Sequence, residues 1–375
     1  MASPSWLLSQ RMSPSAPCSG EIDASPSDTY DKIPIVGVCF GAVLSALESM
    51  ELNPHEIYKL VENGMTQVEE ELARQSSSCI PLIDKIGQYI CDSGGKRIRP
   101  AILLLSAQMC GYDGPVGPRL GAVIEMIHSA TLVHDDIIDN ASVRRGRASV
   151  NAQWGNEITV LMGDWLYMTS FSMALGERQL KVLDVLIAAT RKMVEGELLQ
   201  LTCNGNLDIT EEQHLEITMR KTAFLFSACS QLGGILSAVG EEKEELLRLY
   251  GLNVGLAFQL VDDVLDFTSN ESTLGKPVGS DLKEGKLTLP LIYLMREGEP
   301  RHRELVREVL RHSGPDAPNR DAVLALVREY RTADRVLEKA HDYARKAQAC
   351  LNDFPACPAR DALLSIPDYI VERDR

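Results

Sequence analysis

The sequence predicts an all-α protein. Apolar residues recur at helical spacing from about residue 54 to the C-terminus. Strict alternation bounded by turns, the mark of a half-buried strand, is essentially missing. The Gly-containing stretches 111–118 and 204–207 have the length and composition of interhelical loops. A chain of 375 residues, 45% of them hydrophobic, has enough apolar side chain for one large core or two ordinary ones.

Residues 1–32 are rich in Ser, Pro and Ala and read as a disordered extension. Met50 is followed by a favourable helix start, with Asn53 as N-cap and Pro54 at the first helical position. Translation is therefore expected to begin at Met50, and residues 1–53 are set apart from a domain over 54–375. Ile57, Leu60, Val61, Gly64 and Val68 mark the first helical face. Helices are then expected over 80–91, 101–110, 120–140, 156–175, 180–203, 211–239 and 241–268. Shorter ones follow over 288–296, 301–312, 319–331, 332–353 and 358–371.

Two acidic clusters stand inside apolar helical runs. Asp135–Asp–Ile–Ile–Asp139 places Asp135 and Asp139 on one face, with Asp136 about 100° round. Like charges at that spacing cost an isolated helix about 0.2–0.5 kcal/mol, and more where water is scarce. A hard divalent cation with oxygen ligands would offset that cost; an acidic helix end in solvent is the plain alternative. Asp262–Asp–Val–Leu–Asp266 repeats the pattern in Phe258–Gln–Leu–Val–Asp–Asp–Val–Leu–Asp–Phe267. Two such clusters facing each other would hold several Mg²⁺ ions without His or Cys. Mg²⁺ shares its coordination sphere with substrate phosphates, so separate cationic phosphate holders are expected.

Gly94–Gly–Lys–Arg–Ile–Arg–Pro100 is the candidate for them, with a basic surface loop as the plain alternative. Gly94 and Gly95 permit a tight turn, and Lys96, Arg97 and Arg99 follow at a helix N-terminus, where free N–H groups already favour an anion. Arg144 and Arg145 lie just past Asp139, and two roles are open to them: pairing with the carboxylates, or clamping two diphosphates bidentately. His128 is two helical turns before Asp135; a lone His in an apolar helix is by itself read as a core residue. Lys221, Thr222, Gln259, Lys276 and Lys286 would complete a ring of polar groups, although spacing alone does not make them converge.

Composition narrows the classes. A net charge of −15 and a pI near 5.0 exclude an ordinary nucleic-acid binder. Nine scattered cysteines without a C-x-x-C pair read as core residues in a reducing cytoplasm rather than disulfides or zinc ligands. No apolar run reaches the length of a spanning helix.

Together the motifs resemble the trans-prenyl diphosphate synthases, head-to-tail isoprenyl chain elongases, over about 54–375. The resemblance rests on Gly94–Pro100, Asp135–Asp139 with Arg144–Arg–Gly146, Lys221–Thr222, Phe258–Asp266 and Gly275–Lys276. It implies a single large all-α bundle around a deep central cavity, in a homodimer that uses several Mg²⁺ ions per site. Lys96, Arg99, His128 and Arg145 would hold isopentenyl diphosphate, which overrides the core reading of His128. Arg144, Lys221, Thr222, Gln259, Lys276 and Lys286 would serve the allylic diphosphate. Asp135, Asp139 and Asp262 would ligate Mg²⁺ directly, with Asp136, Asp263 and Asp266 beside them, and Lys221 belongs with the catalytic groups. Ionisation of the allylic diphosphate would give a cation that the isopentenyl double bond attacks. The departing diphosphate would take the proton, and apolar walls would exclude water.

Within that family, side chains one turn before the first cluster line the product tunnel. Here they are Ala130 and Thr131, with Ile127 and Val123 further along. Their small size implies a long product, and Ser129–Asp136 and Leu161–Tyr167 look closest to bacterial octaprenyl-type synthases that make quinone side chains. The long product would allow loose membrane association. The alternatives are a shorter-chain synthase, a class I terpene cyclase, a non-catalytic partner subunit and an acidic helical binding protein. The retained second Asp cluster and the Gly–Gly–Lys–Arg stretch oppose the cyclase, and both intact clusters oppose the partner subunit.

Overall fold

A computed structural model describes residues 52–269, 279–311 and 319–373. The proposed extension and start site, apart from Leu52 and Asn53, lie outside the described residues, and so does Lys276.

The described chain is helical almost throughout. Asn53 accepts from Glu56 N and Glu56 from Asn53 N, a reciprocal cap that starts α1 (Pro54–Leu60). Next come α2 (Glu62–Gln75), α3 (Pro81–Asp92), α4 (Ile98–Met109) and α5 (Val116–Ile138). A two-residue hairpin, β1 (Val143–Arg144) and β2 (Arg147–Ala148), leads to α6 (Val150–Trp154). Then follow α7 (Asn156–Gly176), α8 (Leu180–Cys203) and α9 (Glu211–Thr218). A π-helical turn (Met219–Ala223) joins α9 to α10 (Phe224–Leu236), and α11 spans Glu241–Thr268. The remainder is α12 (Ser280–Lys283), α13 (Leu289–Glu297), α14 (Pro300–Arg311), α15 (Arg320–Glu329), α16 (Thr332–Ala349) and α17 (Pro358–Glu372).

Besides the unexpected short helices α6 and α12, three local features depart from the expected helix pattern. The first helical face breaks at Val61, so α1 and α2 are separate. The hairpin was not expected; Arg145 and Gly146, at φ 52° and 74°, form its two-residue turn. Tyr89 of α3 clamps it, donating its hydroxyl to Ala148 O at 2.7 Å while Arg147 stacks over the ring. The third is the π turn, which falls on Lys221–Thr222. Such bulges mark functional sites more often than plain helix does.

Close backbone approach places that turn. A Cβ on Gly196 of α8 would meet Lys221 N at 2.6 Å, and one on Gly255 of α11 would meet Ala223 Cα at 2.5 Å. Only glycine lets both helices press on the π segment, so Lys221 and Thr222 are wedged between α8 and α11. One continuous apolar core runs through α4, α5, α10, α11 and α16, anchored by fully buried Phe226, Tyr250 and Phe267. Tyr250 satisfies its hydroxyl by donating to Leu363 O of α17 at 2.7 Å. Among the described residues every cysteine is a free thiol, and no helix is long and apolar enough to cross a membrane.

Candidate active site

The first acidic cluster ends α5. Asp136, 3% exposed, is taken up by Arg144, whose Nε lies 2.7 Å from Oδ1. Asp139 accepts from Lys286 at 3.2 Å, a contact between residues 147 positions apart. Lys286 also pairs with Glu284 at 2.6 Å; burial alone would lower its pKa, but Glu284, Asp139 and Asp281 outweigh that and raise it. Asp135 feels the charges of Lys221, Glu197, Asp139 and Arg144. Burial pushes its carboxyl up to about 6; Lys221 opposes that rise, and Glu197 and Asp139 add to it. A desolvated carboxylate beside two more acids is the kind of group a cation would stabilise.

The second cluster sits at the end of α11. Asp263 is 4% exposed and accepts from His214 Nε2 at 3.0 Å and from Gln259 Nε2 at 3.0 Å. Asp266, with no exposed surface, accepts from Ser280 Oγ at 2.6 Å, Ser280 N at 3.2 Å and Asp281 N at 3.1 Å, which anchors the start of α12. Only Asp262 of the three is open: its side chain is 41% exposed and pairs with Arg373 Nη2 at 2.6 Å. The two clusters divide unequally: Asp136 holds the frame in the first, Asp263 and Asp266 in the second, while Asp135 and Asp139 face other charges and Asp262 is open.

The cationic end surrounds His128. Burial, followed by Arg99, Arg145, Arg97 and Arg144, holds the His128 imidazole well below its usual pKa, so the ring is neutral. Arg99 has a buried Nε without a hydrogen-bond partner, and its guanidinium lies 4.5 Å over the Phe226 ring. Burial lowers its pKa, against the pull of Glu125 and Asp262. Arg97 serves structure instead: it donates to Glu69 at 2.6 Å and to buried Glu125 at 2.7 Å. Arg145 donates to Gly94 O, and a Cβ on Gly95 would lie 3.0 Å from its guanidinium. Lys96 is exposed just ahead of α4. Of the two roles open to the arginine pair, Arg144 takes the carboxylate one and Arg145 stays with the cationic group.

Lys221 pairs with Glu197 of α8, and Thr222 donates to Gln259 Oε1 at 2.9 Å. Ala130 and Ile127 have no accessible surface, whereas Thr131 is half-buried and donates to His128 O at 2.7 Å. Sequence reasoning missed Glu197, His214 and Arg373. Glu197 had a signal, since Glu195–Gly–Glu197 interrupts an apolar helix; His214 and Arg373 had none.

The sequence model of the polyprenyl synthetase family matches residues 80–327. The chain belongs to the polyprenyl synthetase family. It is 40% identical over 324 residues to octaprenyl diphosphate synthase of Escherichia coli (strain K12), covering 86% of this chain and all of that one. Among solved structures it is similar to the polyprenyl synthase of Caulobacter crescentus CB15 complexed with calcium and isoprenyl diphosphate. The TM-score is 0.83 at 36% identity, covering 87% of this chain and 99% of that one. A decaprenyl diphosphate synthase from Rhodobacter capsulatus gives 0.81 at 34% identity, covering 86% and 100%. The enzyme is a prenyltransferase with the all-α isoprenoid synthase fold, and its relatives place it with the long-chain trans-prenyl diphosphate synthases.

Among the described residues no three His, Cys, Asp or Glu groups converge tightly enough to hold a metal ion. The donor set nevertheless fits Mg²⁺. Asp135 and Asp139 offer hard oxygens one turn apart, and Mg²⁺ commonly takes only one or two protein carboxylates and completes its sphere with phosphate oxygens and water.

Proposed function

We propose that the enzyme extends an allylic diphosphate with isopentenyl diphosphate to a product of about eight units, for a quinone side chain. One observation carries the assignment of ends. On α5, two turns apart, the acids Asp135 and Asp139 and the neutral His128 among arginines define an acidic and a cationic pole.

In this reading the cationic pole holds isopentenyl diphosphate through Lys96, Arg99, His128 and Arg145. The acidic pole receives the allylic diphosphate, with Lys221, Thr222, Gln259 and Lys286 around it and Lys276 as a further proposed contact. Mg²⁺ bound by Asp135, Asp139 and Asp262 would neutralise the leaving diphosphate. Lys221 and Lys286 add positive charge on that side, and Asp136 fixes Arg144. The apolar core helices keep water from the allylic cation.

A homodimer fits the surface. Leu161, Met168 and Leu175 repeat every seventh residue on α7, as do Leu180, Ile187, Val194 and Leu201 on α8, and all are exposed. Unpartnered apolar heptads on adjacent helices are what a helix–helix interface presents. A cytoplasmic site is part of the proposal, with membrane contact left to the product.

The test incubates purified enzyme with farnesyl diphosphate, labelled isopentenyl diphosphate and Mg²⁺, then sizes the dephosphorylated products. A ladder ending near eight units is expected. Products stopping at three or four units would overturn the long-chain assignment, and a cyclic hydrocarbon would overturn elongation itself.

A further inference from the structure

His214 has no place in the chemistry outlined above, yet it is 6% exposed and bonded to the second acidic cluster. Its Nε2 lies 3.0 Å from Asp263 Oδ2. A carboxylate oxygen accepts, so the tautomer that makes this bond carries its hydrogen on Nε2. The other Asp263 oxygen accepts from Gln259 Nε2 at 3.0 Å, which turns the Gln259 carbonyl towards Thr222. Thr222 Oγ1 lies 2.9 Å from that carbonyl oxygen and must donate to it. The bonds converge on Asp263: His214 donates to Oδ2, while Thr222 donates to Gln259 and Gln259 to Oδ1, so His214 and Thr222 stand at the two ends of one chain. It spans three elements: α9, α11 and the π turn.

Position gives His214 leverage. A reciprocal cap between Thr210 and Gln213 fixes the start of α9 three residues before it. The same helical rod runs on into Lys221 and Thr222, so His214 braces that rod against α11 at a second point. Remove its N–H, and Asp263 keeps only the Gln259 bond among those shown here. The Gln259 amide then has less to hold its orientation, and Thr222 is released from a fixed proton direction.

We propose that His214 is a positioning residue for prenyl transfer: through Asp263 and Gln259 it fixes the direction of the Thr222 hydroxyl on the allylic side of the site. The proposal rests on the reading of the site given under Proposed function.

The experiment measures kcat, both KM values and thermal stability for wild type, His214→Phe, His214→Gln, Thr222→Val and the double variant His214→Phe/Thr222→Val. Farnesyl diphosphate, isopentenyl diphosphate and Mg²⁺ are the probes. His214→Phe is expected to lower kcat about tenfold or more, with KM for isopentenyl diphosphate within about twofold of wild type. His214→Gln keeps an N–H donor at similar reach and is expected to regain most of the loss. In the Thr222→Val background, His214→Phe is expected to cost no more than about twofold, because the relay is already cut. Should His214→Phe fail to fold, His214→Asn, whose amide is too short to reach Asp263, takes its place in the cycle. Wild-type kcat in the folded variant, failed rescue by a folded His214→Gln, or fully multiplicative costs would each overturn the positioning role. A wild-type enzyme that forms no condensation product overturns the parent reading instead, and the variants then carry no blame.

Discussion

Arg373 Nη2 lies 2.6 Å from Asp262 Oδ1, joining the last turn of the C-terminal helix to the one open carboxylate of the second cluster. The pair is lopsided. Arg373 is 6% exposed, also donates to Phe258 O at 2.9 Å and stacks 4.0 Å over the Phe258 ring, while Asp262 is 41% exposed. Phe258 in turn packs 5.2 Å from Phe226, over which Arg99 stacks. Two guanidinium groups thus flank one aromatic pair and connect the acidic side of the site with the cationic side.

The asymmetry predicts unequal costs. Asp262→Asn leaves a buried guanidinium without its counter-charge and is expected to destabilise the metal-free enzyme by about 1–3 kcal/mol. Arg373→Met leaves an acid that water can reach, and keeps most of the packing on Phe258, so about 1 kcal/mol or less is expected. Thermal denaturation in the presence of a chelator orders the two. The reverse order would mean that Asp262 is the more desolvated partner.

Much of this arrangement was readable in the sequence, for physical reasons. Helical periodicity fixes which residues are apolar inside a helix, and i, i+4 spacing puts Asp135 and Asp139 on one face. Arg373 was not readable: no local pattern says that a C-terminal arginine will fold back 111 residues onto Asp262. The same holds for His214 and Asp263, which meet only because α9 and α11 pack. The hairpin at Arg145 escaped because four residues of strand leave no period to detect. Spacing set Asp136 about 100° from Asp135, but not its partner: that is Arg144, brought back by the hairpin.

Asp135 makes stability depend on pH in a stated direction. Its carboxyl titrates at about 6 in the metal-free fold, against 3.8 as a reference, with burial as the leading cause. A raised carboxylate means that the charged form costs the folded state stability above pH 6, and that the cost fades as pH falls towards the unfolded value. Asp135→Asn removes it. The variant is expected to be more stable than wild type at pH 7.5, by at most about 3 kcal/mol, with the gap closing towards pH 4. Denaturant unfolding of both proteins with a chelator at several pH values checks this. A gap that widens on acidification would mean that Asp135 is stabilised as an anion.

Ala130 and Thr131 separate packing from tunnel. Thr131 is half-buried and one turn before Asp135 on its face, while Ala130 has no accessible surface. Phe at either site is expected to shorten the product to about three or four units by filling space one turn below the reacting carbon. Thr131→Phe should do so at little cost in stability. Ala130→Phe must displace packed neighbours and is expected to lose about 1–3 kcal/mol as well. Product sizing and melting curves on both variants test the assignment. Unchanged products from both would remove this stretch of α5 from the tunnel wall.

The exposed heptads of α7 and α8 give the last prediction. Their seven side chains, Leu161 to Leu201, are 43–75% exposed, on two helices consecutive in the chain. In a two-fold dimer each substitution enters the interface twice. Met168→Glu combined with Ile187→Glu would therefore bring four carboxylates into an apolar contact. Juxtaposed like charges cost several kcal/mol, and about 3 kcal/mol already weakens association more than a hundredfold. Size-exclusion chromatography with light scattering is expected to give twice the chain mass for wild type and the chain mass for the variant. The variant should keep its helical circular dichroism, because both side chains point away from the core. A monomeric wild type, or a variant that still dimerises, would move the interface elsewhere.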